Sequence, residues 1–357
     1  MIEYSEDELN AIVLDSFEEL TYKVKYEVTE NFAFSYPLKK YEPFLIKTLG
    51  EGVYNKIRGL YFSRGYREKL IRSLEEKGIF CITCFSSEYP ERLKVIPAPP
   101  LVLYCKGNAS LLNRRAIAIV GSRRTLPEIL KACKRISGQA AQKFAVVTGT
   151  ADGADTAAAE GAVNSGNLIF VAAQGLDHVY PASNARLYKV AAQKGLVISE
   201  QRPAQVAKSY LFPVRNRIIA ALADGVLVVS AGEKSGASIT AEYAFEYGKD
   251  VFCFPYSLGV PSGVGCNRLI KKGAYLAENI LDIFNVFGLD FTAYERPELT
   301  EREAEVLSAL KNTGTAHISE LALKLGCRPF EIIAELSSLE VKGLVARLGG
   351  NTYVAVN

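Results

Sequence analysis

Residues 212–231 read Phe-Pro-Val-Arg-Asn-Arg-Ile-Ile-Ala-Ala-Leu-Ala-Asp-Gly-Val-Leu-Val-Val-Ser-Ala. The later part of this stretch, residues 226–230, is a short apolar run of the kind that forms a strand buried on both faces. Similar runs occupy residues 101–105, 116–120, 144–148, 168–171, 196–199 and 251–254. Because helix-forming segments separate them, the sequence predicts an α/β fold with a Rossmann-like, doubly wound and mostly parallel sheet. Ligands of such sheets bind beyond the carboxyl ends of the strands.

The first part of the same stretch brings cations close to that sheet. Pro213 disfavours helical geometry for Phe212, so we expect the residues that follow to lie where a loop enters a helix. These residues are Arg215, Asn216 and Arg217. Backbone N–H groups at a helix start and the forked guanidinium group both bind anions. The stretch therefore predicts an anion site at the carboxyl edge of the sheet.

The length of 357 residues exceeds what one hydrophobic core usually serves, so two or three domains are expected. We expect a small helical amino-terminal module, SAM-like or helix-hairpin-helix-like, over residues 1–78 and the Rossmann-like domain over residues 79–292. Residues 298–357 have the pattern of three helices and a two-stranded ribbon, which is typical of a winged helix. The helix of this tail that would enter a DNA groove carries Glu331, Glu335 and Glu340. Its negative charge opposes contact with phosphates.

The net charge of +3 is unevenly distributed along the chain. Residues 101–290 carry 21 Lys and Arg against 14 Asp and Glu, a surplus of +7, whereas residues 1–100 and 298–357 are net negative. A basic middle segment favours a polyanionic partner. No segment reaches the roughly 18 apolar residues that a membrane-spanning helix needs, and the acidic start is unlike a secretory signal. We therefore expect a cytoplasmic protein with no membrane partner.

Glycine-containing turns follow the predicted strands of the basic segment. Glycine lets the backbone approach a ligand closely, and a strand-to-helix turn presents free N–H groups. Each turn by itself is ordinary architecture, but together with the neighbouring basic residues the turns indicate one binding surface. The predicted binding residues are Gly121, Ser122, Arg123, Arg124, Gly149, Tyr180, Asn184, Phe212, Arg215, Asn216, Arg217, Lys234, Ser235, Gly236, Ser238, Asn267, Arg268 and Lys271.

Few residues suited to catalysis accompany these turns. The sequence contains two histidines, His178 and His317, and it lacks a nucleophile elbow and a P-loop. Cys81 and Cys84 form a C-x-x-C pair with no second pair, so we expect no metal and no other cofactor. Acidic residues near the turns could act as acids or bases, but such residues more often cap helices or orient arginines. They are Asp152, Asp155, Asp177 and Glu242. The sequence favours binding over catalysis.

These motifs, in this order, resemble the DNA-processing protein DprA (Smf) family over residues 85–290. The resemblance rests on Ala-Ile-Val-Gly-Ser-Arg at 118–123, Gly-Leu-Asp-His-Val-Tyr-Pro at 175–181, Phe-Pro-Val-Arg-Asn-Arg at 212–217, Ser-Gly-Ala-Ser-Ile-Thr-Ala at 235–241 and Asn-Arg-Leu-Ile-Lys-Lys-Gly-Ala at 267–274. It implies a Rossmann-like domain that binds single-stranded DNA without cutting it, forms a homodimer and loads the RecA recombinase onto that strand during natural transformation. It also implies a helical amino-terminal module and a winged helix.

The sequence departs from the family pattern in two turns. Asp152 stands where the family pattern has an arginine, residues 156–160 lack a histidine that is common there, and Tyr256 replaces a glycine after the last predicted strand. An acid in place of a cation is expected to weaken phosphate attraction at the first of these turns.

The expected binding mode combines phosphate contacts with base stacking. Phosphates would be held by Arg123, Arg215, Arg217, Lys234 and Lys271, with backbone amides near Gly121, Gly236 and Gly265. Stacking contributes about 1–3 kcal/mol per base. Its candidates are Phe212, Tyr180 and Tyr256, for each of which a packing role is the alternative.

Two other functions are left open by the sequence. One is an enzyme similar to the nucleoside-monophosphate phosphoribohydrolases, because residues 234–242 echo their glycine-rich signature at Gly236 and Glu242. The other is a winged-helix regulator with a ligand-sensing domain, which the acidic tail disfavours. Release of a free base from a nucleotide would identify the enzyme. Binding to duplex DNA would identify the regulator.

Overall fold

The computed structural model describes residues 3–21, 24, 42–289, 299–342 and 344–355. Contacts divide the chain into two compact units, Met1–Ile283 and Phe284–Asn357. The first unit contains both the amino-terminal helices and the large sheet. The three-domain division expected from the sequence stays a prediction.

The first of the amino-terminal helices packs against the sheet. In the described part of this segment they are α1 (Glu6–Ser16), α2 (Glu42–Leu49), α3 (Glu51–Tyr61) and α4 (Arg64–Glu76). Helix α1 begins with a capping box, in which the Ser5 hydroxyl accepts from the Glu8 N–H at 3.3 Å and the Glu8 carboxylate accepts from the Ser5 N–H at 2.8 Å. At the other end of α1, Asp15 accepts a hydrogen bond from the hydroxyl of Tyr104 in the sheet at 2.6 Å.

Within the described residues, nine strands form the large sheet. They are β1 (Phe80–Thr83), β2 (Val102–Gly107), β3 (Ala116–Val120), β4 (Ala145–Thr148), β5 (Leu168–Ala172), β6 (Leu196–Ser199), β7 (Gly225–Val228), β8 (Asp250–Cys253) and β9 (Tyr275–Leu276). Their order is β1-β2-β6-β5-β4-β3-β7-β8-β9. Pairing is parallel from β6 through to β9, whereas β2 pairs antiparallel with both β1 and β6.

Further helices lie between and after these strands, and those between β3 and β9 connect successive parallel strands. They are α5 (Glu91–Lys94), α6 (Pro127–Ala140), α7 (Ala154–Ala162), α8 (Ala185–Lys194), α9 (Leu211–Leu222), α10 (Gly236–Glu246), α11 (Val264–Lys271) and α12 (Ile280–Val286). From β3 the chain builds β4, β5 and β6 on one side, and then returns through α9 to place β7 on the other side of β3. The carboxyl ends of β3 and β7 therefore flank a topological switch point, where open α/β sheets bind ligands.

The fold class expected from the sequence is confirmed. Strands β3 and β6 have the bounds that the apolar runs indicate, and every residue of both is buried. The expectation that Phe212 lies outside a helix is wrong, because α9 begins at Leu211. Pro213 stands in the first turn of α9, where a backbone N–H has no partner within the helix and proline is tolerated.

The second unit has the winged-helix pattern. Its elements are α13 (Glu301–Thr313), β10 (Thr315–His317), α14 (Ile318–Lys324), α15 (Ile333–Val341), β11 (Val345–Arg347) and β12 (Thr352–Ala355). Leu310, Leu321 and Leu336 are fully buried in a core of its own. The expected two-stranded ribbon is present as the antiparallel pair β11–β12, and β10 adds a third strand in the order β10-β12-β11. Among the helices of the described ranges, none combines the length and apolar character needed to cross a membrane.

Candidate functional site

An open cleft lies at the switch point, beyond the carboxyl ends of β3 and β7. Its volume is ≈ 430 Å³, and its walls come from the turns after β3, β4 and β7 and from the first turns of α9 and α10. The structure brings a large part of the predicted binding set together here. These cleft residues are Gly121, Ser122, Arg123, Arg124, Phe212, Arg215, Asn216, Lys234, Ser235 and Gly236.

Two glycines allow the turns after β3 and β4 to pack closely. A Cβ at Gly121 would lie 2.6 Å from the Cβ of Ala154. Gly153 has a φ of +81°, which favours glycine, and a Cβ there would lie 2.6 Å from the carbonyl oxygen of Arg123. The N–H of Ala154 donates to the carbonyl of Ser122 at 3.2 Å. These contacts fix the backbone of Arg123 beside the start of α7.

Arg123 and two aromatic rings form a ladder along one side of the cleft. Arg123 is exposed, and its guanidinium carbon lies 5.0 Å from the centroid of the Phe212 ring. This distance is within the range of cation–π attraction. The Tyr180 ring packs edge-on against Phe212, with centroids 5.8 Å apart. The ladder offers a cation and π-faces next to each other, although Tyr180 itself does not line the cleft.

Arg215 lies deeper and has internal partners. It is 6% exposed, its Nη1 donates to the carbonyl of Val171, and its Nε donates to Oδ1 of Asn216 at 3.2 Å. Burial lowers the pKa of Arg215 to about 10, although the nearby Asp155 carboxylate opposes that shift. Burial removes water from the Arg215 guanidinium, and Asp155 offsets only part of that cost. A further anion in the cleft would therefore stabilise the charge of Arg215.

Asp155 is the acid of the cleft. Its side chain is buried in the first turn of α7, and its Oδ2 accepts from the N–H of Ala151 at 3.3 Å. Burial raises the pKa of Asp155 to about 6, against the attraction of Arg215 and Arg123. Gly149 leaves room for this pair, because a Cβ there would lie 2.7 Å from Nη2 of Arg215 and would also collide with the carboxylate.

The start of α10 forms the opposite wall. Ser235 caps this helix by accepting from the Ala237 N–H at 3.3 Å, and the adjacent Lys234 is exposed. The Nδ2 of Asn216 donates to the carbonyl of Gly236 at 3.1 Å and so ties α9 to this wall. The N-terminal turn of a helix attracts anions. The arrangement therefore places a helix start and an exposed lysine opposite the arginine ladder.

Arg217 does not line the cleft. It is 3% exposed, and its Nη2 lies 2.5 Å from Oε1 of Glu200 in a buried ion pair. Sequence reasoning misses this pairing. One feature of the sequence could have indicated it: Arg217 is followed by the apolar residues 218–222 of the same helix, and a charge buried among apolar residues needs a partner. Glu200 directly follows β6 at the same sheet edge.

The remaining predicted residues also lie outside the cleft lining. Asn184 is buried and donates to the carbonyl of Thr150 at 3.0 Å. Asn267 donates to the Tyr256 carbonyl at 2.9 Å, and Arg268 pairs with Glu233 at 2.7 Å. The rest of this group comprises Gly149 and Tyr180, which contact cleft residues, the partly exposed Ser238 on α10, and the exposed Lys271 on α11.

The other candidate acids are separated from the cleft lining. Asp152 accepts from the Ser183 hydroxyl at 2.6 Å, and Asp177 pairs with Lys77 at 2.6 Å. Glu242 is exposed on α10. Among the residues that the structure describes as lining the cleft, Asp155 is the one carboxylate. The lining therefore carries four cations, Arg123, Arg124, Arg215 and Lys234, against one carboxylate, which suits an anionic ligand.

Comparison with known proteins points to one family. Residues 80–288 match the model described as DNA recombination-mediator protein A, and residues 293–351 match the model described as DprA winged helix domain. The DNA processing protein DprA of Bacillus subtilis is 36% identical over 219 residues, which cover 60% of this chain and 74% of the relative.

Solved structures agree with this match. The X-ray structure of DNA processing protein A from Streptococcus pneumoniae aligns with a TM-score of 0.62 at 29% identity, over 81% of this chain and 100% of that one. A Helicobacter pylori DNA processing protein A, described for its single-stranded DNA binding mode, aligns with a TM-score of 0.54 at 31% identity, over 58% and 95%. Because the first family model spans more than half of the sequence, this chain belongs to the DNA recombination-mediator protein A (DprA, Smf) family.

Proposed function

We propose that this chain is a non-catalytic protein that binds single-stranded DNA in the cleft at the switch point. One observation carries the proposal: exposed Arg123, Arg124 and Lys234 and the buried Arg215 line a single cleft that also contains an aromatic ring, Phe212. Cations along a groove together with aromatic faces are the means by which proteins bind unpaired strands without sequence preference. The single-stranded DNA binding mode described for the Helicobacter pylori relative supports the same assignment.

In this proposal the residues have different tasks. Arg123, Arg124 and Lys234 contact phosphates, and Arg215 adds positive potential from below. N–H groups at the start of α10 donate hydrogen bonds to a phosphate. Phe212 and Tyr180 stack with bases. Arg217, through its pair with Glu200, positions α9 rather than contacting DNA. The surface around the cleft is extended or supported by the other predicted residues, namely Lys271, Arg268, Asn267, Asn184 and Ser238.

We further propose that the bound strand is protected and then delivered to the RecA recombinase during natural transformation, and that the chain acts in the cytoplasm as a homodimer formed through its Rossmann-like domain. Family membership supports these roles. The edge strand β9 supports the dimer, because it pairs with β8 on one side and exposes Tyr275 and Leu276, at 47% and 48%. An exposed strand edge with apolar side chains is a ready surface for a second chain.

The direct test compares Arg123→Ala and Lys234→Ala with the unmodified chain in binding to oligothymidylate. Each variant is expected to bind roughly tenfold more weakly, because a charge-assisted hydrogen bond contributes about 1.5 kcal/mol or more. The plot of log affinity against log salt concentration should become less steep by about 0.7 for each phosphate that the variant no longer neutralises. Fluorescence anisotropy over a salt series measures both quantities.

The matched control is Lys143→Ala. Lys143 is exposed two residues before β4, at the amino edge of the parallel strands and thus opposite the cleft. Its removal takes away the same charge and should leave the affinity nearly unchanged. Equal losses of affinity in the cleft variants and in this control would contradict the assignment, since they would report net charge alone.

A further inference from the structure

A second pocket of the first unit lies where α1 and α4 meet the segment that follows β6. Its volume is ≈ 390 Å³. Its basic lining residues are Lys77, Arg202 and Lys208, and its apolar walls include Leu70 and Val206. Glu18 lines the pocket as well, so positive charge exceeds negative charge in the lining. Cations above an apolar wall match the chemistry of a nucleotide, which joins a phosphate to a flat base.

Arg202 brings to this pocket a hydrogen-bond donor that lacks an acceptor. Its Nη1 is buried and, among the residues that the structure describes, has no hydrogen-bond partner. A buried charged donor without an acceptor is costly, so an anion in the pocket would be stabilised by it. Lys77 already pairs with Asp177 at 2.6 Å. The exposed Lys208 and the partly buried Arg202 are therefore the groups best placed to hold a phosphate.

The segment that carries Arg202 is held rigidly. The Gly175 N–H donates to the Gln205 carbonyl at 2.8 Å, and the Asp177 N–H donates to the Pro203 carbonyl at 3.0 Å. A Cβ at Gly175 would collide with the carbonyl oxygens of Arg202 and Pro203. Glycine is thus required for this close approach of two loops. A site with a fixed backbone loses little conformational freedom when a ligand binds.

A short stretch of chain connects the second pocket with the cleft. Residues 205–212 run from the pocket to Phe212 in the cleft, and they expose Val206 at 51% and Tyr210 at 60%. Tyr180, which is 43% exposed and packs on Phe212, belongs to the loop that is tied to this segment. Apolar and aromatic side chains therefore lie along the surface between two groups of cations.

We propose that the second pocket is a further subsite for the same bound strand, in which Arg202 and Lys208 hold the phosphate of a nucleotide beyond the cleft. The inference rests on the proposed function and extends it by giving the strand a direction, from the switch point toward the amino-terminal helices. It assigns these helices a part in binding, since α1 and α4 form one wall of the subsite.

The test compares two lengths of oligothymidylate, about 4 and about 16 nucleotides, which bracket the site sizes of compact single-strand-binding domains. Arg202→Gln and Lys208→Ala should each weaken binding of the longer strand by about tenfold, and they should leave the shorter strand, which the cleft alone accommodates, unaffected. Lys143→Ala is the control for net charge. Lys208 is exposed, so its variant decides the matter if Arg202→Gln fails to fold.

The outcomes separate the inference from the function on which it rests. If both lengths bind the unmodified chain and neither pocket variant alters the longer strand, the subsite is refuted while the cleft stands. If neither length binds, the proposed function itself fails. Fluorescent thymidine monophosphate tests whether the pocket binds a free nucleotide instead. If Arg202→Gln loses binding of this nucleotide while its affinity for the longer strand is unchanged, the strand subsite is overturned in favour of a free-nucleotide site.

Discussion

The charge state of Asp155 sets how much positive charge the cleft presents. In the free protein, burial raises the pKa of this carboxyl to about 6. Above that pH the carboxylate is charged and offsets part of the potential of Arg215 and Arg123, and below it the group is neutral. We therefore expect affinity for oligothymidylate to rise several-fold between about pH 7 and pH 5.

The same shift affects stability in a defined direction. The folded pKa lies above the unfolded value of about 3.9, so the stabilising contribution is complete below about pH 4 and is lost as the pH rises through about 6. Asp155→Asn should flatten both the binding profile and the stability profile over this window. A binding profile that stays as steep in Asp155→Asn would contradict the assignment of the effect to Asp155.

Arg215 and Arg217 show what single residues reveal before a structure is known. The sequence predicts both arginines to be cations at a sheet edge, and Arg215 does line the cleft. Arg217 stands two residues further along α9, which rotates its side chain to another side of the helix. Its burial against Glu200 depends on a tertiary contact between α9 and the end of β6, and sequence spacing does not specify that contact.

At the scale of elements, continuous apolar runs locate the parallel strands from β3 to β8. Strands buried on both faces need such runs, and β3, β4 and β5 are buried along their whole length. The short edge elements β1, β9 and β10 are not predicted, because two to four residues at a sheet edge carry too little pattern. The start of α9 is misplaced for a different reason: Pro213 is compatible with a first helical turn.

The edge strand β9 is the element on which the proposed dimer depends. Tyr275 stacks on Phe252, with ring centroids 5.4 Å apart, while the neighbouring Leu276 and Leu281 are exposed. Leu276→Asp should convert a dimer to a monomer at micromolar concentration, because a buried unpaired charge costs several kcal/mol at an interface. Sedimentation equilibrium measures the mass directly.

Leu258→Asp is the matched control for this edge. Leu258 is 97% exposed in the turn after β8, so the same substitution there adds the same charge away from β9. A monomeric unmodified chain, or equal dissociation in both variants, would contradict dimer formation through β9.

At the scale of the whole molecule, the sheet brings together residues that lie more than 100 positions apart in sequence, from Gly121 to Gly236. One binding surface can be expected from the sequence because all parallel strands end at the same edge. The sequence does not show which turns meet at the cleft, because the order of the strands in the sheet decides this. The segments that follow β5 and β8, which include Asn184 and Lys271, are consequently outside the cleft lining.

The winged-helix unit is predicted to contribute little to the binding of a single strand. Residues 298–357 carry a net charge of −2, and Arg328 is paired with Glu331 at 2.7 Å. The unit has its own core, including Leu310 and Leu321, so its fold does not depend on the cleft. A chain of residues 1–289 should therefore bind oligothymidylate within about twofold of the full chain, because phosphate attraction scales with the number of cations that contact the strand.

Anisotropy titrations of both chains at several salt concentrations check this expectation, and a cooperative thermal transition of the shortened chain confirms that it is folded. The full chain should also bind duplex DNA far more weakly than the single strand, since an acidic helix such as α15 is repelled by a duplex groove. A more than tenfold loss of single-strand affinity on shortening would instead assign the winged helix a direct role, and its acidic face would then require a basic partner rather than DNA.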